Sequence, residues 1–351
     1  FTAEWIEQVS SELHYNDKNL IEKVIRALSL LEMLVKAGCP LVFKGGTALM
    51  LILGKSAHRL SIDIDLICPP GTNIEDYLKS FADFGFINLE LVERKQRDDA
   101  DIPKSHSKFF YQIAYRNDTD AQSYILLDVL YEDIHYFRTQ QIAIDCPFIR
   151  LEGKPLMVTV PSAEDILGDK LTAFAPNTTG IPYYKNGRSC SMEIAKQLYD
   201  VGRLFENVSD LQITKEAFRK IAVVELSYRS FGTDIGQVFN DIRQTALCIS
   251  TRGKAGEGDF DLIQDGIIRV KSFMYKQRYL IDHAIIDAAR AAYLATLIEK
   301  GINEIESYSN NPADIKDMVI RPSLPNKLNK LRSNLPEAYY YWAKTSELLE
   351  A

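Results

Sequence analysis

The sequence lacks most of the features that mark membrane, secreted and zinc-binding proteins. It has no apolar run of about 18 residues, the length that spans a bilayer. Its opening residues lack the basic-then-apolar order of a secretory signal. The five cysteines form no CxxC pair, and the five histidines show no ligand spacing. We therefore expect a cytoplasmic protein with reduced cysteines and no membrane partner.

An excess of positive charge is also lacking. The 351 residues include 41 Lys and Arg against 48 Asp and Glu, a net charge of -7. This balance argues against a general polyanion-binding surface, so an RNA-binding function would require local clusters of Lys and Arg. With 46% hydrophobic and 25% charged residues, the composition is typical of a globular protein, and the length suggests two domains.

The first part of the chain mixes helical and strand patterns. Apolar residues recur at helical spacing over 21–37, and a short apolar run at 40–43 leads through a glycine turn into a helical pattern at 48–53. Residues 61–67 alternate polar with apolar, which predicts a strand with one polar face. The patterns that follow predict a helix at 74–84, strands at 87–94, 108–115 and 123–131, and a helix at 162–174.

The character of the sequence changes near residue 175. Residues 175–191 are rich in Gly, Pro, Asn and Thr and predict a mobile loop, and most of the remainder has helical spacing. We predict an α+β domain with a mixed sheet over 1–175 and a mainly helical domain over 176–351 that contributes to the active-site cleft.

Three aspartates are the candidate catalytic residues. Asp63 and Asp65 stand two apart on one predicted strand, so their side chains share a face about 6 to 7 Å apart and could hold divalent cations. Asp128 interrupts an apolar strand, where an unpaired carboxylate would be costly to bury. We interpret the three as metal ligands for phosphoryl transfer, with Asp128 also a candidate base.

A glycine turn is the candidate phosphate site. Gly45, Gly46 and Thr47 precede a helix, so backbone N–H groups and the helix dipole would face an anion, and Thr47 could add a hydroxyl. Lys44 or Arg59 could contribute positive charge. Each part alone is commonly structural, but their combination in this order favours a nucleotide site.

These segments resemble a known family. Residues 43–49 (FKGGTAL) and 59–66 (RLSIDIDL) are similar to the signature of the AbiEii/AbiGii nucleotidyltransferase toxin family, within the polymerase-beta-like nucleotidyltransferase superfamily. Residues 169–174 and 196–201 are similar to its two later motifs, and the resemblance covers roughly 28–204.

The resemblance implies a fold and further site residues. It implies a polymerase-beta-like domain that uses NTP with Mg²⁺ or Mn²⁺. Lys170 would bind the triphosphate, Asp200 would orient Lys170 or the nucleotide, and Ser61 could touch phosphate. In the structural alternative, Lys170 is a surface cation paired with Glu164 or Asp165, and Asp200 pairs on its own helix with Lys196 or Arg203.

Basic segments are candidate RNA contacts, although most such segments are only solvated. They are 94–97 with Lys104 and Lys108, and a cluster of Arg321, Lys327, Lys330 and Arg332 that precedes the aromatic residues 339–342. The aromatics could stack bases, or they could belong to the core of a final helix.

By resemblance, the predicted function is NMP transfer from an NTP to an RNA such as tRNA, by the toxin of a toxin–antitoxin or phage-defence system, with a possible antitoxin partner. One alternative is transfer to a small hydroxyl compound, which would require an enclosed pocket. Another is a nucleotide-binding interaction protein without catalysis, against which the three carboxylates argue.

Overall fold

The chain divides into two compact units in a computed structural model that describes all residues except 93–103, 116–120, 209, 230, 231 and 233. The first unit contains Phe1–Ser162 and the segment Ser272–Arg278. The second contains Ala163–Lys271 and Tyr279–Ala351. The helix at 163–173, which the sequence assigns to the first domain, belongs to the second compact unit because it packs on helices there. The division at 175 into functional domains stays a prediction.

The described residues of the first unit form three α-helices and a mixed sheet, which confirms the predicted α+β class. Its helices are α1 (Ala3–Glu12), α2 (Lys18–Lys36) and α3 (Gly45–Leu53). Its strands are β1 (Val42–Lys44), β2 (Ile64–Cys68), β3 (Asn88–Val92), β4 (Lys104–Gln112), β5 (Gln122–Tyr131), β6 (Thr139–Ala143) and β7 (Met157–Pro161).

Five strands form the sheet in the order β1-β2-β5-β4-β3. Among the strand pairs of this sheet that the structure describes, only β2–β5 is parallel, and this pair sets Asp65 opposite Asp128. Strands β6 and β7 form a separate antiparallel pair. The apolar face of α2, which begins at the Asp17 cap, packs with the buried residues of the sheet in one core.

Three element predictions in the first unit differ from the structure: the helix at 74–84, the start of the strand at 61–67 and the bounds of the strand at 108–115. The predicted helix at 74–84 is two short 3₁₀ turns, Ile74–Tyr77 and Phe81–Phe84. Short polar side chains there bond locally, as in the 3.2 Å contact from Asn73 Nδ2 to Asp76 Oδ2, and this competes with a continuous helix.

The strand predicted to carry both Asp63 and Asp65 begins later than expected. Strand β2 begins at Ile64, so Asp63 precedes it. Its neighbour β1 has only three residues, and the ladder between them ends at the pair Lys44–Asp65. The Asp63 carbonyl instead accepts a hydrogen bond from Thr47 Oγ1 at 2.7 Å.

A late segment of the chain completes the first unit. Tyr275 packs edge-on against Phe148, with ring centroids 5.2 Å apart, and its hydroxyl donates to the carbonyl of Ala57. The Leu60 N–H donates to the Phe273 carbonyl at 2.8 Å. The segment therefore supports the stretch that leads into β2.

The second unit is mainly helical, as predicted. Its helices are α4 (Ala163–Ala173), α5 (Ser191–Phe205), α6 (Leu211–Tyr228), α7 (Ile235–Ser250), α8 (Phe260–Val270), α9 (Ile281–Lys300), α10 (Leu331–Asn334) and α11 (Pro336–Glu350). Helix α9 is buried on all sides over residues 287–298, and it packs against α5, α7 and α11. Apart from Asp287, Arg290 and Thr296, the residues of this stretch are apolar, as expected for a helix at the centre of a bundle.

The stretch 175–191 is tied to the second unit, although the sequence predicts a mobile loop. Asp241 on α7 accepts hydrogen bonds from the Asn177 N–H at 2.9 Å, from Asn177 Nδ2 at 2.8 Å and from Thr178 Oγ1 at 2.8 Å. Burial raises the pKa of Asp241. Strands β8 (Tyr184–Lys185) and β9 (Arg188–Ser189) form a small hairpin within the stretch.

Candidate active site

The glycine turn lies directly against the first candidate carboxylates. Gly45 has φ +77°, and a Cβ placed on it would come within 2.1 Å of Asp65 Oδ2. A Cβ on Gly46 would lie 2.7 Å from Ser61 Oγ and 2.9 Å from Arg59 Nη2. Gly45 is therefore required by its φ and by the Asp65 side chain, and a side chain at Gly46 would displace the ends of Ser61 and Arg59. The sequence predicts a different reason for both glycines, the close approach of a phosphate.

Helix α3 starts at this turn without a side-chain cap from the described residues. Its Gly45, Gly46 and Thr47 form the first turn, where backbone N–H groups have no acceptor inside the helix. The uncapped end suits an anion, as predicted for a triphosphate. Thr47 itself is buried, and its hydroxyl is used by the Asp63 carbonyl.

Asp65 and Asp128 are neighbours in the sheet. They are register partners on the parallel strands β2 and β5, whose backbones lie about 4.8 Å apart. Register partners direct their side chains to the same face, and both of these side chains are partly exposed. The structure thus brings together two carboxylates that are 63 positions apart in sequence.

Asp63 directly precedes β2, two residues before Asp65. Within the described residues, no three Asp, Glu, His or Cys side chains form a closed cluster for an ion. This arrangement still suits Mg²⁺, which usually binds through one or two carboxylates and completes its shell with water and substrate phosphates.

His106 was missed by sequence reasoning. It lies on β4 opposite Asp128, and its Nδ1 is hydrogen-bonded to Asp128 Oδ1. The imidazole is 15% exposed and the carboxylate 40%, so His106 forms the buried side of the pair. Its Nε2 is buried and has no hydrogen-bond partner among the described residues. The sequence predicts that this strand begins at Lys108, which leaves His106 outside it. Extending the alternating pattern of β4 by two residues towards the N-terminus would have included His106.

The contact with Asp128 determines which atom of His106 donates. A carboxylate oxygen accepts hydrogen bonds, so His106 Nδ1–H is the donor to Asp128 Oδ1. His106 therefore acts as a fixed donor to one oxygen of Asp128.

Lys170 and Asp200 meet within the second unit. Lys170 Nζ on α4 lies 3.0 Å from Asp200 Oδ2 on α5 and donates to Gln197 Oε1 at 3.0 Å. The two charged side chains are only 8% and 2% exposed. Lys170 is therefore not the surface cation of the structural alternative. Because burial of an ion pair costs desolvation energy, such a pair is weak support for stability alone.

The structure places the basic and aromatic residues that were predicted to contact RNA in different environments. Residues 94–97 lie outside the described residues. Lys108 is on β4, 3.5 Å from Glu90 and above the ring of Tyr124. The aromatic residues Tyr339, Tyr340, Tyr341 and Trp342 are at most 7% exposed, so they are core residues of α11 and do not form a base-stacking surface.

The sequence from residue 28 to residue 314 matches the family described as nucleotidyl transferase AbiEii toxin, type IV toxin–antitoxin system. The match covers well over half of the chain, so the chain belongs to the AbiEii family and is a nucleotidyltransferase. The predicted resemblance is confirmed and extends well into the helical half. Membership indicates a nucleotide substrate and an antitoxin partner. Nucleotidyltransferases generally use a divalent metal and an NTP.

Solved structures that match the chain include JHP933 from Helicobacter pylori and MenT4, a nucleotidyltransferase toxin from Mycobacterium tuberculosis H37Rv. JHP933 is 17% identical, with 82% of this chain and 94% of that chain covered and a TM-score of 0.41. MenT4 is 14% identical, with 84% and 89% covered and a TM-score of 0.42. Both scores are below 0.5, so the family assignment depends on the sequence match. No curated protein matches the chain.

In the part of the chain that the structure describes, no helix has the length and apolar character needed to cross a membrane.

Proposed function

We propose that the chain transfers an NMP from an NTP to RNA, with tRNA the expected class of acceptor, and acts as a toxin in the cytoplasm. Family membership supports the reaction class. The observation that carries the site assignment is the register of Asp65 with Asp128 beside the glycine turn.

The first unit would hold the metal through carboxylates. Asp65 and Asp128 supply oxygens from adjacent strands, and Asp63 adds a third carboxylate two residues before Asp65. Carboxylate oxygens are the ligands preferred by Mg²⁺ and are also suited to Mn²⁺. When bound, the divalent ion would neutralise charge on the triphosphate and align the attacking and leaving oxygens.

The glycine turn would bind the triphosphate. The uncapped N–H groups of Gly45, Gly46 and Thr47 donate toward an anion, and Ser61 lies against Gly46 with its hydroxyl at the same turn. In this assignment the turn at the N-terminus of α3 would bind the leaving pyrophosphate, with Asp65 directly beside it.

Asp128 would accept the proton of the acceptor hydroxyl as well as bind metal. His106 donates to Oδ1 and so fixes the orientation of the carboxylate, which leaves Oδ2 as the oxygen available for other partners. This role for His106 is positional.

Lys170 would bind the triphosphate of the nucleotide. An ammonium has three N–H donors, and Asp200 with Gln197 engages two directions at 3.0 Å each. In this assignment Asp200 fixes the Lys170 side chain, and Lys170 contributes a point charge to the triphosphate.

Labelled-nucleotide transfer tests the proposal. The protein is incubated with each labelled NTP, Mg²⁺ and total RNA, beside an Asp65→Asn variant and an Asp133→Asn control. Asp133 is exposed on the same unit, so the two variants remove the same charge. We expect label in RNA with the unmodified protein and the control, and a loss of at least about 100-fold with Asp65→Asn.

Two other outcomes would contradict the proposal in different ways. Label that appears only in small molecules would identify a small hydroxyl acceptor. Nucleotide binding without transfer under any metal would identify a binding protein. In cells, expression should arrest growth, and Asp65→Asn should relieve the arrest while Asp133→Asn should not.

A further inference from the structure

A basic groove lies on the second unit, where the end of α7, the start of α9 and the residues around α10 meet. It encloses about 370 Å³. We call the residues that line it the basic groove: Ser250, Thr251, Arg252, Lys254, Asp282, Ile285, Lys327, Lys330, Leu331, Asn334 and Leu335. It lies within one compact unit.

The charge of the basic groove is opposite to that of the chain. Its lining includes four Lys and Arg side chains, and Asp282 is the one carboxylate among the described residues that line it. The whole chain has a net charge of -7. The four cations of the groove repel one another. An anionic ligand would reduce this repulsion, so the cluster favours an anion.

The cations are arranged for contact with a ligand. Arg252 has φ +53° at the turn after α7, and its guanidinium lies 2.9 Å from Asp282, with both side chains more than half exposed. An exposed ion pair contributes little, so an anion can exchange with Asp282 at low cost. Lys327 donates to the Lys254 carbonyl and joins the two segments, while Lys254 and Lys330 are exposed.

We propose that the basic groove binds the phosphodiester backbone of the RNA acceptor. This inference rests on the proposed function, because it names a binding surface for the acceptor of that reaction. Phosphate contacts need cations and hydrogen-bond donors, and the groove supplies Arg252, three lysines and the Asn334 amide.

The lining argues against a protein partner at this position. Protein interfaces are centred on apolar and aromatic anchors. In the basic groove, Ile285 and Leu331 are buried, and Trp342 behind it is fully buried with its Nε1 donating to Ser250 at 2.9 Å. The exposed side chains that line the groove are therefore the four cations, Asp282 and Asn334. The groove would recognise the RNA backbone and not the bases, since the nearby aromatic side chains are buried and cannot stack on bases.

Salt dependence of RNA binding tests this inference. The Lys254→Gln/Lys330→Gln double variant removes two exposed charges from the groove. The matched control, Lys220→Gln/Lys300→Gln, removes two exposed charges elsewhere on the same unit. Binding of labelled total tRNA is measured by filter retention across salt concentrations, and binding of labelled NTP and thermal unfolding are measured on the same samples.

We expect RNA binding by the groove variant to depend less steeply on salt than binding by the unmodified protein. Each phosphate contact contributes about 0.7 to the slope of log affinity against log salt for single strands and about 0.9 for a duplex, so for tRNA the slope should fall in magnitude by about 1.4 to 1.8. Between about 50 and 200 mM salt, the unmodified protein would then lose roughly 7 to 12 times more affinity than the groove variant. The control should match the unmodified protein, and NTP binding should be unchanged in all three.

Three results would overturn the inference. Equal RNA binding and equal slopes for the groove and control variants would remove the groove as the RNA site, even if transfer to RNA is observed. Parallel loss of NTP binding in the groove variant would assign the groove to the triphosphate. Failure of the unmodified protein to retain tRNA at low salt would exclude the ligand class. A groove-specific loss of RNA binding without any transfer would support the groove and contradict only the proposed reaction.

Discussion

Comparison of Gly45→Ala with Gly38→Ala should separate the effect of backbone strain on stability from the effect of a displaced Asp65 on activity. At φ +77°, an alanine costs about 1 to 2 kcal/mol relative to its preferred conformation. The added Cβ would also lie 2.1 Å from Asp65 Oδ2, 2.8 Å from Cγ and 3.0 Å from Cβ. Rotation of the carboxylate alone does not relieve this contact, because the Asp65 Cβ is itself too close.

The carboxylate must therefore move. Ordinary contact begins near 3.4 Å, so Oδ2 has to retreat by more than about 1 Å. A misplacement of about 1 Å at a reacting centre can cost about 100-fold in rate, and we expect this loss of kcat in labelled-NTP transfer for Gly45→Ala.

Gly38 provides the control. It has φ +74°, and an added Cβ would meet nothing within 4 Å. Gly38→Ala should lose a similar 1 to 2 kcal/mol or so in urea unfolding and retain activity within a few-fold. Full activity in Gly45→Ala, with the same loss of stability as Gly38→Ala, would refute the claim that Asp65 must lie against the turn.

Three further predictions concern buried polar side chains. His106→Asn should retain most transfer activity and Mn²⁺ affinity, because its amide donates from nearly the position of Nδ1, whereas His106→Leu should lose about 10-fold or more in both; equal behaviour of the two variants would remove the positioning role. Lys170→Met should destabilise the protein by about 3 to 5 kcal/mol, measured by urea unfolding, because it removes the cation paired with the buried Asp200 carboxylate; a change below about 1 kcal/mol would contradict the buried ion pair. Burial raises the pKa of Asp287 to about 6, so its stabilising effect is complete below its unfolded pKa and is lost as pH rises through about 6. Asp287→Asn should remove this decline, on the order of 3 kcal/mol between about pH 4 and 7, and an unchanged stability profile would show that Asp287 does not titrate in this range.

Much of the fold could be predicted because local patterns were strong. The helical spacing over 21–37 corresponds to α2, and the apolar run interrupted by Asp128 is β5. The class, a mixed sheet followed by helices, is confirmed. The start of β2 was mispredicted because alternation at 61–63 continues in the sequence, while the partner strand ends at Lys44.

The candidate site was less predictable because it depends on contacts between distant segments. Sequence spacing could pair Asp63 with Asp65, but the neighbour of Asp65 in the sheet is Asp128, through a parallel pairing. His106 reaches Asp128 only through the antiparallel register of β4 with β5. The roles assigned to these residues remain predictions that the transfer assays above address.

The return of the chain to the first unit at Ser272–Arg278 limits how the protein can be shortened. A fragment that stops at Ser162 would keep all the candidate metal-binding aspartates but would lose the Tyr275 ring against Phe148 and the hydroxyl bond to Ala57. The stretch before β2 would also lose the Phe273 carbonyl that receives the Leu60 N–H. Such a fragment would expose an apolar cavity at Phe148, and we expect it to aggregate unless a peptide spanning the missing seven residues is supplied or fused to it.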